Sequence, residues 1–181
     1  MLHNFFEELK AEFKSALSKR NHPFKYITLS TIDGDLKPQS RTVVLREIHD
    51  NLDCIIFTDS RTDKVKQLND NAQACLLAYH PKKLLQLKLN GKLYPIEDPI
   101  ETKRLFQKVG EKAIKDYTTI QAPGTSILNP DHVDYRERNE NHFLALKFVP
   151  DQWEALKLKR PHHLRAIFDK DNDWKGQWLV P

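Results

Sequence analysis

Leu2, Phe5, Phe6, Leu9, Phe13 and Leu17 recur at three- and four-residue steps, which predicts an amphipathic helix with one apolar stripe. Lys19 and Arg20 sit near its end, where cations suit the helix dipole. Asn21-His22-Pro23 then stops it, because proline cannot continue the hydrogen-bond ladder. Tyr26 to Ile32 alternates and is rich in β-branched residues, so it reads as a strand. Asp33-Gly34 is a turn pair, and Arg41-Thr42-Val43-Val44-Leu45-Arg46 is the second arm of a hairpin. Cys54 to Thr58 is a third strand, entered from Asp50-Asn51.

A short helix begins at Asp63, carries Val65 and Leu68, and closes at Asn69-Asp70-Asn71. Ala74 to Tyr79 is a continuous apolar run and predicts a fully buried strand. Leu85, Leu87 and Leu89 alternate with Gln86, Lys88 and Asn90 in a half-buried strand that continues past Gly91, a candidate bulge, to Leu93. The three leucines suit either a barrel core or a partner. Pro99 opens another helix, with Ile100, Leu105, Phe106 and Val109 on one side. Thr118 to Asn141 is polar, holds Pro123-Gly124 and Asn129-Pro130, and reads as a long loop. Strands resume at Phe143–Phe148, Trp153–Leu158, Leu164–Phe168 and Gln177–Val180. Many antiparallel strands with a few outer helices make a barrel-like α+β fold.

The chain has 181 residues and a mass of 21.2 kDa, which predicts a single domain over 1–181. Lys and Arg number 29 against 25 Asp and Glu, a spread-out excess of +4 that suits a small anion. No basic stripe interleaves with aromatics, so nucleic acid is not the expected partner. No charged-then-apolar leader opens the chain and no apolar run approaches membrane length, so a soluble, cytoplasmic protein is expected. Cys54 and Cys75 sit in apolar runs and read as buried thiols, without a disulfide. Nucleotide-loop, nucleophile-elbow and zinc-finger spacings are missing, no metal is expected, and no catalytic residue stands out. His162 and His163 are adjacent and read as turn histidines before they read as ligands.

The chemistry lies in cations on short strands. Arg41 and Arg46 are separated by an odd number, so a regular strand puts them on opposite faces. Thr58-Asp59-Ser60-Arg61-Thr62-Asp63-Lys64 leaves a strand and enters a helix. Hydroxyls, cations and a helix N-terminus permit a phosphate cradle. They equally permit an N-cap by Thr62 or Ser60, with Lys64 in solvent.

Three of these stretches, in order, resemble the pyridoxamine 5'-phosphate oxidase family. Arg41 to Arg46 is similar to its Arg-x-Val-x-Leu-Lys/Arg run. Phe57 to Lys64 is similar to its aromatic-Thr-Asn/Asp-x-x-Ser-x-Lys run, and Gln86 with Gly91 to its Gln-x-x-x-x-Gly run. The resemblance implies an FMN-binding antiparallel split β-barrel, homodimeric, with peripheral helices. It implies that Arg41 and Lys64 bind the FMN phosphate, helped by Thr58, Thr62, Ser60 and Arg61. The backbone of Thr42-Val43-Val44-Leu45 would line the flavin, which is compatible with these side chains also being core. Gln86 would bond the isoalloxazine. Arg46 would meet an anionic group of the substrate. In the C-terminal third, Pro161-His162-His163-Leu164-Arg165 matches the family's Arg-Leu-His-Asp-Arg at His163, a substrate residue, and Arg165, a cofactor residue. Pro161 replaces an arginine, which removes a bidentate anion clamp. The implied activity is an FMN-dependent oxidoreductase acting on a small, phosphorylated or otherwise anionic substrate. The alternative is a non-catalytic FMN-binding or flavin-sequestering protein.

Overall fold

Eight strands carry the fold, and six of them close on one another. A computed structural model describes all 181 residues. The strands are β1 (Tyr26–Ile32), β2 (Pro38–Ile48), β3 (Cys54–Asp59), β4 (Gln73–His80), β5 (Leu85–Pro95), β6 (Phe143–Lys157), β7 (Leu164–Asp169) and β8 (Gly176–Leu179). Their order is β3-β2-β1-β4-β5-β6-β7-β8, every pair is antiparallel, and a further β3–β6 pairing closes the first six into a barrel. Three α-helices lie outside it: α1 (Leu2–Ser18), α2 (Asp63–Asp70) and α3 (Pro99–Phe106). This is the α+β antiparallel barrel with peripheral helices that the sequence predicts. No helix is long and apolar enough to cross a membrane.

Strand β6 splits the barrel. Its first residues, Phe143 to Phe148, pair with β3, and its last, Gln152 to Lys157, pair with β7. The change of neighbour coincides with a register shift against β5 between Asn90 and Gly91, which leaves Asp151 as an extra residue. The backbones approach so closely here that a Cβ on Gly91 would press into the Val149 carbonyl oxygen and lie 2.8 Å from Pro150 Cα.

The interior is lined by alternate residues, and Leu85, Leu87 and Leu89 all face it. Helix α1 lays Phe5, Phe6, Leu9, Phe13 and Ala16 on the same core. Phe6 stacks on Phe168 at 4.5 Å and Phe13 meets Trp153 edge-on at 5.3 Å. Cys54 is buried and Cys75 partly so, and both are free thiols.

Several expectations are corrected. The apolar run in β4 is only half buried. Leu76 and Ala78 point inward, while Leu77 and Tyr79 stand 36% and 51% exposed, because a barrel wall has an outer face. The stretches Phe143–Phe148 and Trp153–Leu158 are one 15-residue strand, since the bulge bends the chain without ending its pairing. Helix α3 stops at Phe106. Ile100 is 80% exposed, and Val109 packs with Ile114 and Tyr117 of a 3-10 helix, Glu111–Tyr117, that composition did not reveal. The Thr118–Asn141 stretch is irregular, as expected, apart from an isolated bridge between Thr119 and Tyr135.

A polar clamp fixes α1 to the barrel. Glu12 Oε1 lies 3.2 Å from His22 Nε2 and 3.4 Å from His80 Nε2, and its Oε2 meets Lys83 Nζ. This clustering has metal-ligand spacing. Yet His22 Nδ1 accepts the Phe24 N–H and His80 Nδ1 accepts the Lys83 N–H. Each ring is thereby held as the Nε2–H tautomer, His22 donating to Glu12 and His80 turning its Nε2–H toward the same oxygen, and has no Nε2 lone pair for a metal. The cluster is a hydrogen-bonded clamp. A second clamp lies at Glu47, which accepts from Arg104, Lys108 and His49.

Two predictions follow from this packing. Gly91→Ala should lower stability by about 1–3 kcal/mol, the usual penalty for overpacking, read by thermal or urea melts. The clamps should make the protein acid-sensitive in two steps. Burial holds His80 below its ordinary 6.5, so the unfolded chain takes up that proton first and stability falls as pH drops below 6.5. Burial would raise Glu12 and Glu47, but the cations overcome it. Glu12 ends below its ordinary 4.5 and Glu47 is brought down to about 2, so stability falls again below pH 4.5. In melts from pH 2 to 8, His80→Gln should flatten the upper step and Glu47→Gln the lower.

Candidate functional site

Two cations come from β2 and from the first turn of α2, a helix packed on β1 and β5. Arg41 leaves β2 on the same side as the buried Val43 and Leu45. Its Nη1 donates to Thr31 Oγ1 at 2.6 Å and to the Leu29 carbonyl at 3.4 Å, and its Nη2 donates to Gln67 Oε1 at 3.3 Å. Lys64, in the first turn of α2, donates to Thr58 Oγ1 at 2.9 Å and to Thr62 Oγ1 at 3.2 Å. All of these partners are neutral. Asp63, the carboxylate that offsets both cations, forms its own ion pair with Lys66 at 2.9 Å.

The protonated states are therefore strained. Burial pushes the Arg41 guanidinium down from its ordinary value, and Asp63 only partly restores it. Burial also pushes Lys64 down, and the like charge of Arg41 adds to the effect. Two half-desolvated cations within electrostatic reach of one another, with two hydroxyls and the start of a helix beside them, suit an anion. Thr62 occupies the N-cap position of α2 without a capping side-chain bond, and its Oγ1 donates instead to the Asp59 carbonyl at 2.9 Å. Lys64 is turned into the structure, against the N-cap alternative that left it in solvent.

The other sequence-selected residues fall into separate groups. Thr42 and Val44 stand on the outer face of the barrel, in line with Thr28 and Tyr26 of β1. Gln86 stands on that same face between Tyr79 and Leu156, and Arg165 lies next in the row. Strands β1 and β4 separate Gln86 from β2, a span of about 14 Å at ~4.8 Å per strand. Arg165 is paired to Glu154 at 2.6 Å, and Lys88 pairs with the other oxygen of the same carboxylate. Arg46 is at the irregular step of β2, on the face opposite Arg41. It is exposed, and its guanidinium lies 5.2 Å over the Phe57 ring. His163 accepts the Lys159 N–H in the β6–β7 turn. Ser60 donates its backbone N–H to the His142 carbonyl. Arg61 departs from the expected phosphate contact, because its donors are directed at Asp59 and at the Thr119 and Ile120 carbonyls.

Sequence reasoning missed Thr31 and Gln67, which hold Arg41. Gln67 had a signal, since it is three residues after Lys64 and so shares its helix face. Thr31 had none, because only the strand pairing brings it to Arg41.

Residues 6–97 match the family model described as pyridoxamine 5'-phosphate oxidase, FMN-binding domain. The chain belongs to this family. FMN is accordingly its cofactor, and the anion-deficient cradle of Arg41 and Lys64 fits a group that ends in a phosphate. A pyridoxine/pyridoxamine 5'-phosphate oxidase of Coxiella burnetii is 25% identical over 194 residues, covering 100% of this chain and 97% of that protein. A pyridoxamine 5'-phosphate oxidase-related, FMN-binding protein of Nostoc punctiforme shares the fold with a TM-score of 0.81 at 18% identity, covering 97% of each chain. PhzG of Burkholderia lata, in complex with tetrahydrophenazine-1-carboxylic acid, does so with a TM-score of 0.75 at 20% identity, covering 98% of this chain and 91% of that one.

The cradle should respond to an anion before any flavin is added. At about tenfold its dissociation constant, inorganic phosphate should stabilise the flavin-free protein by ~1.4 kcal/mol, a rise in Tm of about 3–5 °C at fixed ionic strength. Arg41→Ala and Lys64→Ala should each abolish the rise.

Proposed function

We propose that the protein is a homodimeric FMN-dependent oxidoreductase, built from one domain over 1–181, that acts on a small anionic molecule. One observation carries it: Arg41 and Lys64, near enough for the charge of one to act on the other, are bonded to neutral partners only. In this reading they hold the FMN phosphate, with Thr58 and Thr62 turning their hydroxyls to it. FMN, when bound, supplies two-electron redox chemistry, and the protein supplies binding, orientation and electrostatics. The Thr42–Leu45 backbone runs beside the flavin.

A dimer completes the site. Gln86 and Arg165 are a sheet's width from the cradle, so a flavin touching both sets takes them from two chains. The outer face that would be covered exposes Tyr26 by 61% and Tyr79 by 51%. Covering such side chains is favourable at roughly 25 cal/mol per Å².

Arg46 would receive the substrate. It is exposed, and Phe57 keeps its guanidinium oriented. The neighbouring cations Arg104 and Lys108 are committed to Glu47. The cyclic acid in the PhzG structure is an anion of the kind that a single arginine takes.

Titrating FMN and riboflavin tests the cradle. Arg41→Ala or Lys64→Ala should each weaken FMN about tenfold to a hundredfold, the loss of one charge-assisted contact of ~1.5–3 kcal/mol, and change riboflavin much less. Arg46→Ala should spare FMN. Equal losses for both flavins would remove the phosphate assignment, and a monomer in sedimentation that still holds FMN tightly would remove the shared site. Tight FMN without turnover on any anionic substrate would favour the flavin-sequestering alternative.

A further inference from the structure

Between the cradle and the long Thr118–Asn141 loop stands one ion pair, on a buried carboxylate, that the proposed function does not use. Asp59, at the end of β3, is 4% exposed. Its carboxylate takes the Arg61 backbone N–H at 2.8 Å, Arg61 Nε at 3.1 Å and Arg61 Nη2 at 2.7 Å. The rest of the Arg61 fork reaches across 58 residues of sequence. Nη1 donates to the Ile120 carbonyl at 2.9 Å, and Nη2 donates to the Thr119 carbonyl at 2.9 Å and to Thr119 Oγ1 at 3.1 Å. These carbonyls lie where the loop folds back on itself, with Ile120 N–H bonded to the Asp134 carbonyl and Arg136 N–H to the Thr118 carbonyl.

The same Asp59 also serves the cradle. Its main-chain carbonyl accepts the Thr62 hydroxyl at 2.9 Å and the Thr62 N–H at 3.2 Å, and Lys64 feels its charge. Without Arg61, a buried carboxylate would stand uncompensated beside the position of an anion. With Arg61, the charge is neutralised and the remaining donors hold the loop. At the root of that loop, the buried Tyr117 feels the charge of Arg46. One fork therefore joins the cradle, the loop and the surroundings of the exposed arginine.

We propose that Arg61 is a positioning residue that masks the Asp59 charge from the cradle and ties the Thr118–Asn141 loop to it, without touching the cofactor itself. The masking half rests on the reading that FMN phosphate occupies the cradle, and the tethering half does not. The two functions use different chemistry. Masking needs only a positive charge. Tethering needs a planar fork that can serve a carboxylate and two carbonyls together, which lysine lacks.

The experiment is a set of variants with two readouts, the FMN and riboflavin dissociation constants and the rate of tryptic cleavage after Arg136 and Arg138 in flavin-free protein. Arg61→Ala should weaken FMN by roughly tenfold with little change for riboflavin, and should speed cleavage of the loop. Arg61→Lys should keep FMN within about threefold of the native value and still speed cleavage. The double variant Asp59→Asn with Arg61→Ala should recover FMN binding while the loop stays labile. Loss of FMN that Asp59→Asn does not rescue would make Arg61 a direct phosphate ligand and overturn masking. Unchanged cleavage in Arg61→Ala would overturn tethering. Arg41→Ala, run alongside, judges the cradle separately. If it weakens both flavins equally, the cradle reading fails, while the flavin-free digests still decide the tether.

Discussion

The long strand β6 has to serve two partners along one edge, β3 first and β7 afterwards, while β5 holds its other edge, and the rest of the molecule is arranged around that requirement. It is met by one extra residue, Asp151, and one absent side chain, that of Gly91. The bend closes the barrel at one end, which places the end of β3 and its exit turn beside β6 and the residues that precede it. Ser60 is bonded to the His142 carbonyl there, and Arg61 reaches the loop. At the other end β6 runs on with β7 to form the outer wall where Gln86, Leu156 and Arg165 share a row. A cradle on one side and a wall on the other are two results of the same bend.

Electrostatics then divides the cations by what they already hold. Arg104 and Lys108 are committed to Glu47, Arg165 and Lys88 to Glu154, Lys83 to Glu12, and Arg61 to Asp59. Each of these is a structural pair in which a carboxylate is held by more than one donor. Arg41 and Lys64 differ, since they are partly desolvated and bonded only to hydroxyl, amide and carbonyl oxygens. A net charge of +4 says nothing of this distinction. It arises from which carboxylates the fold brings within reach.

Most of the fold was legible in the sequence, because period-2 and period-3.6 patterns report which face of a strand or helix is apolar. The cradle was partly legible. Lys64 and Thr58 are close in sequence, and a helix start after a strand is a local event. What was hidden is everything set by strand pairing. Thr31 meets Arg41 through the β1–β2 register. Glu12, His22 and His80 meet because α1 crosses the β4–β5 turn. The fork of Arg61 ends on carbonyls 58 and 59 residues away. Its side-chain type was suggestive of phosphate, but an arginine is read by what lies at its tip, and sequence order does not give that. Continuous apolar runs misled in the other direction, since β4 reads as fully buried when half its side chains wait on an outer surface.

The like charges of Arg41 and Lys64 also have a meaning for the life of the protein in a cell. A chain without its anion keeps a repulsion in its folded form that the unfolded chain escapes, and a bound anion removes it. The population of folded molecules therefore rises with the supply of cofactor, by mass action. Quality-control proteases act on the unfolded fraction, so a difference of one or two kcal/mol is enough to change abundance several-fold. Flavin scarcity would thus thin out the protein as well as leave it empty, and the amount of this chain would follow the flavin economy of its host without any dedicated regulator.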